Sequence, residues 1–173
     1  MIQTERLVLV PFQVKHLDDI YEILSNDETC QFLPHDPWTE TNKDENFKKR
    51  LIEFNLNSGE KCHLAVMLND KLIGDVVAWY TDMKDTVEIG YVFNKAFSNK
   101  GYATEAVEAF KQFLFKEYDL HRIQTMLDAN NLSSANLCER IGMRKEGHFI
   151  KDYWNKGKWT DTLMYGLLAS ELK

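Results

Sequence analysis

The chain has 173 residues, enough for one domain with its own core, and its 44% hydrophobic and 28% charged content is that of an ordinary globular protein. A formal net charge of -6 disfavours nucleic acid as a partner and is compatible with a cationic substrate. No run is long and apolar enough to span a membrane, and the opening Met1-Ile2-Gln3-Thr4-Glu5-Arg6 lacks a signal-peptide pattern, so the expected location is the cytoplasm.

Residues 6–10 read as a first strand, with Leu7 and Leu9 on one side and Val8 and Val10 on the other, ended by Pro11. Residues 14–24 read as a helix, with Leu17, Ile20, Tyr21 and Leu24 at helical spacing and His16 on its surface. Residues 25–38 look like a loop that exposes Phe32 and Trp38. Thr39 or Thr41 can cap a second helix running to about Asn57, its apolar face being Phe47, Leu51, Ile52 and Phe54. Strands 63–68 and 72–80 follow, joined by the turn Asn69-Asp70-Lys71. After the polar turn 81–85 comes a third antiparallel strand, 87–93.

A polar loop, 94–100, leads into a long helix, 102–118. Ala103, Ala106, Val107, Phe110 and Leu114 form its apolar stripe, while Glu105, Glu108, Lys111 and Gln112 can face water. The helix crosses over to strand 122–128, which the crossover rule makes parallel to strand 87–93. A short helix, 132–141, packs through Leu137 and Ile141 and stops at Gly142. Strands 144–154 and 158–168 close the chain as an antiparallel pair. The whole is an α/β fold of one domain, a mixed central sheet of about seven strands flanked by helices.

Gly101 sits where loop becomes helix. A helix start leaves backbone N–H groups unpaired and partly positive, and a residue without Cβ lets an anion come close. The segment can therefore bind phosphate, or can simply start a helix. It is not a Walker loop, because Lys100 precedes the single glycine, nor a dinucleotide fingerprint, which needs three glycines.

Ser98-Asn99-Lys100-Gly101-Tyr102-Ala103 resembles the pyrophosphate loop Gln/Arg-x-x-Gly-x-Gly/Ala of the GNAT superfamily of acyl-CoA-dependent N-acetyltransferases. Ser98 departs from the pattern and removes a longer side chain that could reach a phosphate. The run from Gly101 through Ala106, the opening Thr4-Glu5-Arg6-Leu7-Val8-Leu9 and the closing Trp159-Thr160-Asp161 resemble the RimJ/RimL-like branch, which acetylates N-termini of ribosomal proteins. The likeness covers nearly the whole chain and is weakest over residues 25–59.

The resemblance implies acetyl-CoA as co-substrate, no metal, and direct attack of an amine on the thioester. It implies coenzyme contacts from the backbones of Tyr91, Val92 and Phe93, from Ser98, Asn99, Lys100, Gly101, Tyr102, Ala103 and Thr104, and from Asn131, Ser134 and Asn136. It makes Glu88 the general base and Ser134, or a water on it, the proton source for the thiolate. The favoured acceptor is a protein N-terminal amine, with an aminoglycoside, polyamine or amino acid as the alternative, or a non-catalytic acyl-CoA sensor; branch members are often homodimers.

Each residue also has a plainer role. Glu88 can be a structural carboxylate, Asn131 a helix cap and Asn136 a solvated polar residue. Cys138 stands where many family members carry a tyrosine acid; a thiol can protonate a thiolate, and a buried cysteine can equally be a small hydrophobe. Asp27, Glu28, Phe32, Asp36 and Trp38, with Asp82 and Asp85, can form an amine-binding wall or a solvated loop. Cys30, Cys62 and Cys138 make neither a CxxC pair nor a zinc pattern, and His16, His35, His63, His121 and His148 have no metal-ligand spacing.

Overall fold

The computed structural model describes residues 1–172 as an eight-stranded mixed sheet with helices on both faces. The strands are β1 (Ile2–Gln3), β2 (Val8–Pro11), β3 (Cys62–Leu68), β4 (Lys71–Tyr80), β5 (Thr86–Phe93), β6 (Arg122–Asp128), β7 (Arg144–Asn155) and β8 (Lys158–Leu168). Their spatial order is β1-β2-β3-β4-β5-β6-β8-β7. All neighbours are antiparallel except β5 and β6. The extra strand over the expected seven is β1, two residues that fold back on Val8 and Leu9.

Strand alternation divides the core. On one face Val87, Ile89 and Ile123 pack under α4 (Tyr102–Glu117) and α5 (Leu132–Arg140) with Val107, Phe110, Leu114, Leu137 and Cys138. On the other, Ala65, Met67 and Leu72 pack under α1 (Leu17–Leu24) and α2 (Asp27–Cys30) with Ile20, Ile23 and Cys30. Phe47, in α3 (Lys43–Lys48), belongs to this second cluster.

Several expectations need correction. The helix expected to run to Asn57 stops at Lys48; turns and a single 3-10 turn, Leu56–Ser58, follow. The reason lies in the packing. Phe47 joins the α1 side of the sheet, whereas Phe54 lies against Phe110 and Phe113 on the α4 side, both at 5.9 Å between ring centroids. No straight helix can serve both faces, and Leu51 and Ile52, at the crossing, are each 39% exposed.

The first helix opens as a 3-10 turn, Val14–His16, and His16 is buried rather than exposed. Its Nδ1 accepts the Gln13 N–H at 3.1 Å, and burial, aided by Lys15, lowers its pKa. The loop expected over residues 25–38 contains α2, and Trp38 is buried beneath Arg50, whose guanidinium lies 4.7 Å from the ring centroid. In α4, Lys111 does not face water: it is buried, donating to the Ile141 carbonyl and to Glu108 at 2.7 Å each.

Candidate active site

β5 and β6 pair through only three residues, Thr86, Val87 and Glu88 against Arg122, Ile123 and Gln124. β5 then runs on to Phe93 and β6 to Asp128 without pairing, so the strands part. A cavity of about 440 Å³ opens there, lined by Glu88 to Val92 from one strand and Thr125 to Asp128 from the other. Backbone groups that a parallel ladder would use face this gap, which suits an extended chain lying in as a surrogate strand.

Glu88 is the last paired residue of β5, at the apex of the opening. It is half-buried, and its Oε2 accepts from Gln124 Nε2 at 3.1 Å. Its face of the sheet is opposite to Val87 and Ile89 and carries Trp79, Val77, Asp75 and His63 as neighbours in register.

The loop after β5 is tied down before it reaches α4. Asn94 receives the Ala96 N–H at 3.0 Å, donates its own N–H to Ile73 and bonds Glu22 through Nδ2 at 2.8 Å. Ser98, Asn99 and Lys100 are exposed, and Gly101 adopts φ +80°, a left-handed conformation that glycine takes without cost. The N–H groups of Tyr102, Ala103 and Thr104 have no acceptor among the described residues. This is an open helix start, with unpaired N–H groups of the kind that can hold an anion.

Glu105, expected to face water, instead anchors the amino-terminal arm. It accepts from Thr4 Oγ1, Arg6 N and Arg6 Nε at 2.6 to 2.9 Å. These bonds hold its carboxyl below the usual range despite the opposing effect of burial. Arg6 also donates to the Lys100 carbonyl and lies over Tyr102, so it braces the loop from outside. A side chain at Gly101 would meet Arg6 Nη2 at 3.3 Å as well as straining the backbone.

Across the gap, Asn131 caps α5, its Oδ1 accepting from Ser134 N at 3.2 Å and Ser133 Oγ at 3.0 Å. Ser134 Oγ donates to the Tyr91 hydroxyl at 2.9 Å, and that hydroxyl lies 3.3 Å from Cys138 Sγ. Burial pushes the Tyr91 phenol far above its ordinary value and raises the Cys138 thiol too. Cys138 is fully buried, which fits the small hydrophobe better than a proton donor. The side chain of Tyr91, anticipated only as a backbone contact, thus binds Ser134 to Cys138. Asn136 is exposed on the outer face of α5.

The other side of the cavity holds residues that spacing did not suggest. Asp75 is buried in β4, with Arg50 Nε donating to Oδ2 at 2.8 Å and His63 Nδ1 to Oδ1 at 2.9 Å. Burial alone would raise the Asp75 carboxyl, but these two partners hold it below its ordinary value. The signal was available in the run Leu72-Ile73-Gly74-Asp75-Val76-Val77: a carboxylate amid buried strand residues needs a cation. Phe32 alone of the acidic and aromatic set lines the cavity. Glu28 pairs with Lys95 at 2.5 Å, and Asp36, Asp82 and Asp85 are exposed outside it. The rim is closed by Asn155 and Lys156, at the tip of the β7–β8 hairpin, which donate to the carbonyls of Leu33 and Cys30.

Residues 6–144 match the acetyltransferase (GNAT) domain family. An uncharacterized N-acetyltransferase, YnaD, of Bacillus subtilis (strain 168) is 34% identical over 98% of each chain. The crystal structure of a GNAT-family acetyltransferase from Bacillus anthracis superposes with a TM-score of 0.87 at 32% identity, covering 98% of this chain and 99% of that one. RimL, a ribosomal L7/L12 alpha-N-protein acetyltransferase solved with coenzyme A, shares the fold with a TM-score of 0.84 over 95% of each chain, at 15% identity. With 139 consecutive residues inside the family and close likeness along the rest, the chain belongs to the GNAT family and is an N-acetyltransferase.

Proposed function

We propose that the enzyme transfers acetyl from acetyl-CoA to a small amine by direct attack, with Glu88 as general base. The carrying observation is the position of Glu88 at the apex where β5 and β6 part, on the strand whose following loop leads to the open helix start at Gly101. The pyrophosphate rests on the backbone of residues 99–104, and the pantetheine arm lies along Tyr91, Val92 and Phe93. Asn131 reaches the arm, Thr104 and Asn136 lie toward the nucleotide end, and the exposed Ser98 adds a hydroxyl. The thioester then stands between Glu88 and Ser134. The amine attacks the carbonyl carbon, a C–N bond forms, the C–S bond breaks and the amine proton passes to Glu88, directly or through water. The thiolate leaves toward Ser134, where a water exchanging with solvent supplies its proton, since an alcohol gives up a proton poorly.

The RimJ/RimL-like resemblance favours a protein N-terminal amine, which needs an open groove for an extended peptide. The bonds from Asn155 and Lys156 to residues 30 and 33 close one side of the cleft and favour a smaller acceptor. The test is thiol release from acetyl-CoA with pools of amino acids, polyamines, aminoglycosides and N-terminal peptides. Release with small amines, reduced about a hundredfold or more in Glu88→Gln while coenzyme binding persists, supports the proposal. Equal turnover by the variant removes the base, and release with peptides alone restores the protein acceptor.

A further inference from the structure

Arg50 is nearly enclosed yet only partly used. Its side chain is 11% exposed, its guanidinium is stacked on Trp38, and Nε is committed to Asp75. Its two terminal nitrogens have no hydrogen-bond partner among the described residues, and the residue lines the cavity. His63 is fixed in the same way, with Nδ1 on Asp75 and the ring on the cavity wall. Lys61 adds a third basic group at the rim, its Nζ 4.1 Å from the Trp79 centroid.

A planar guanidinium held by stacking and by one carboxylate presents its remaining edge as a fork, which matches a carboxylate or phosphate through two parallel bonds. Asp75 does not make this wall acidic, because its charge is already matched by Arg50. Register gives the scale. Glu88 stands opposite Trp79 and Asp75 opposite Val92, so the base and the carboxylate that holds Arg50 are four strand positions apart, about 14 Å along β5 before side chains lean inward.

We propose that the acceptor is a short amine bearing an anionic group, carboxylate or phosphate, several bonds from the reacting nitrogen, and that Arg50 binds that group. This rests on the acetyltransferase reading above and narrows its substrate. A polyamine offers Arg50 no acceptor, because its ammonium groups, like the terminal guanidinium nitrogens, only donate.

The test needs no variant to begin. Thiol release from acetyl-CoA is measured with ω-amino acids, dipeptides and aminoalkyl phosphates, each beside its uncharged amide or ester and beside a diamine of equal length. The proposal expects kcat/KM to be at least about tenfold higher for the anionic member of one pair. Which pair shows it separates carboxylate from phosphate. In Arg50→Lys the preference should fall toward one, because an ammonium keeps the charge but loses the fork. If amides, esters or diamines serve equally well, this inference fails and the acetyltransferase reading stands. If no amine releases thiol while acetyl-CoA still shifts the melting temperature, both fail.

Discussion

The two walls of the cleft treat buried polarity in opposite ways. On the side of β3 and β4, Arg50 and Asp75 bury an ion pair, and His63 Nδ1 donates to the same carboxylate. On the side of α5, Tyr91, Ser134 and Cys138 bury hydroxyl and thiol groups that stay neutral, since burial raises both the phenol and the thiol. The first wall can recognise charge. The second offers hydrogen bonds without a fixed charge. The same strand bond pattern separates them, because Tyr91 and Val92 point to opposite faces of β5.

The contrast is sharpest where an ion is left alone. Asp75→Asn strands Arg50 without its counter-charge and should cost about 3–5 kcal/mol of stability in denaturant unfolding. A loss under 1 kcal/mol would mean that water already solvates the group. On the neutral wall, Tyr91→Phe removes one hydroxyl from a short chain of hydrogen bonds. It should cost about 1 kcal/mol, read by the same method. If the two variants cost the same, the walls do not differ in the manner described.

A smaller effect tests the walls at opposite ends of the pH scale. The folded-state pKa of Asp75 is depressed, so its contribution is present above the unfolded value and is lost as pH falls through the folded one. Cys138 and Tyr91 are raised, so their neutral forms favour the fold below the unfolded values. That contribution declines as pH rises past about 8.5, where an unfolded cysteine releases its proton. Melting temperature should therefore drop on both limbs, with Asp75→Asn flattening the acid limb and Cys138→Ala the alkaline one. An unchanged alkaline limb in Cys138→Ala would assign that limb to other groups.

Much of the region around α4 and α5 could be read from the sequence because its signals are local. α4 repeats its apolar stripe over several turns, Gly101 marks its start, and Asn131 precedes Ser134 by three residues, as capping requires. The wall of Arg50, Asp75 and His63 was hidden because its parts meet only in three dimensions. Arg50 lies in a segment whose apolar spacing suggested a helix, and Asp75 and His63 come together through β3–β4 pairing. His16 and Trp38 were misplaced for a related reason: each is polar-tipped or loop-borne, and only tertiary packing buries it.

The crossing between Phe47 and Phe54 has a further consequence. The six residues between them fasten the two hydrophobic layers together, one aromatic ring in each. Neither layer can loosen far without pulling on the other, so the layers on the two faces of the sheet are joined in a single cooperative unit. Arg50 sits within that fastening, and the cavity wall it forms with Asp75 is therefore as durable as the fold itself rather than a separately mobile lid.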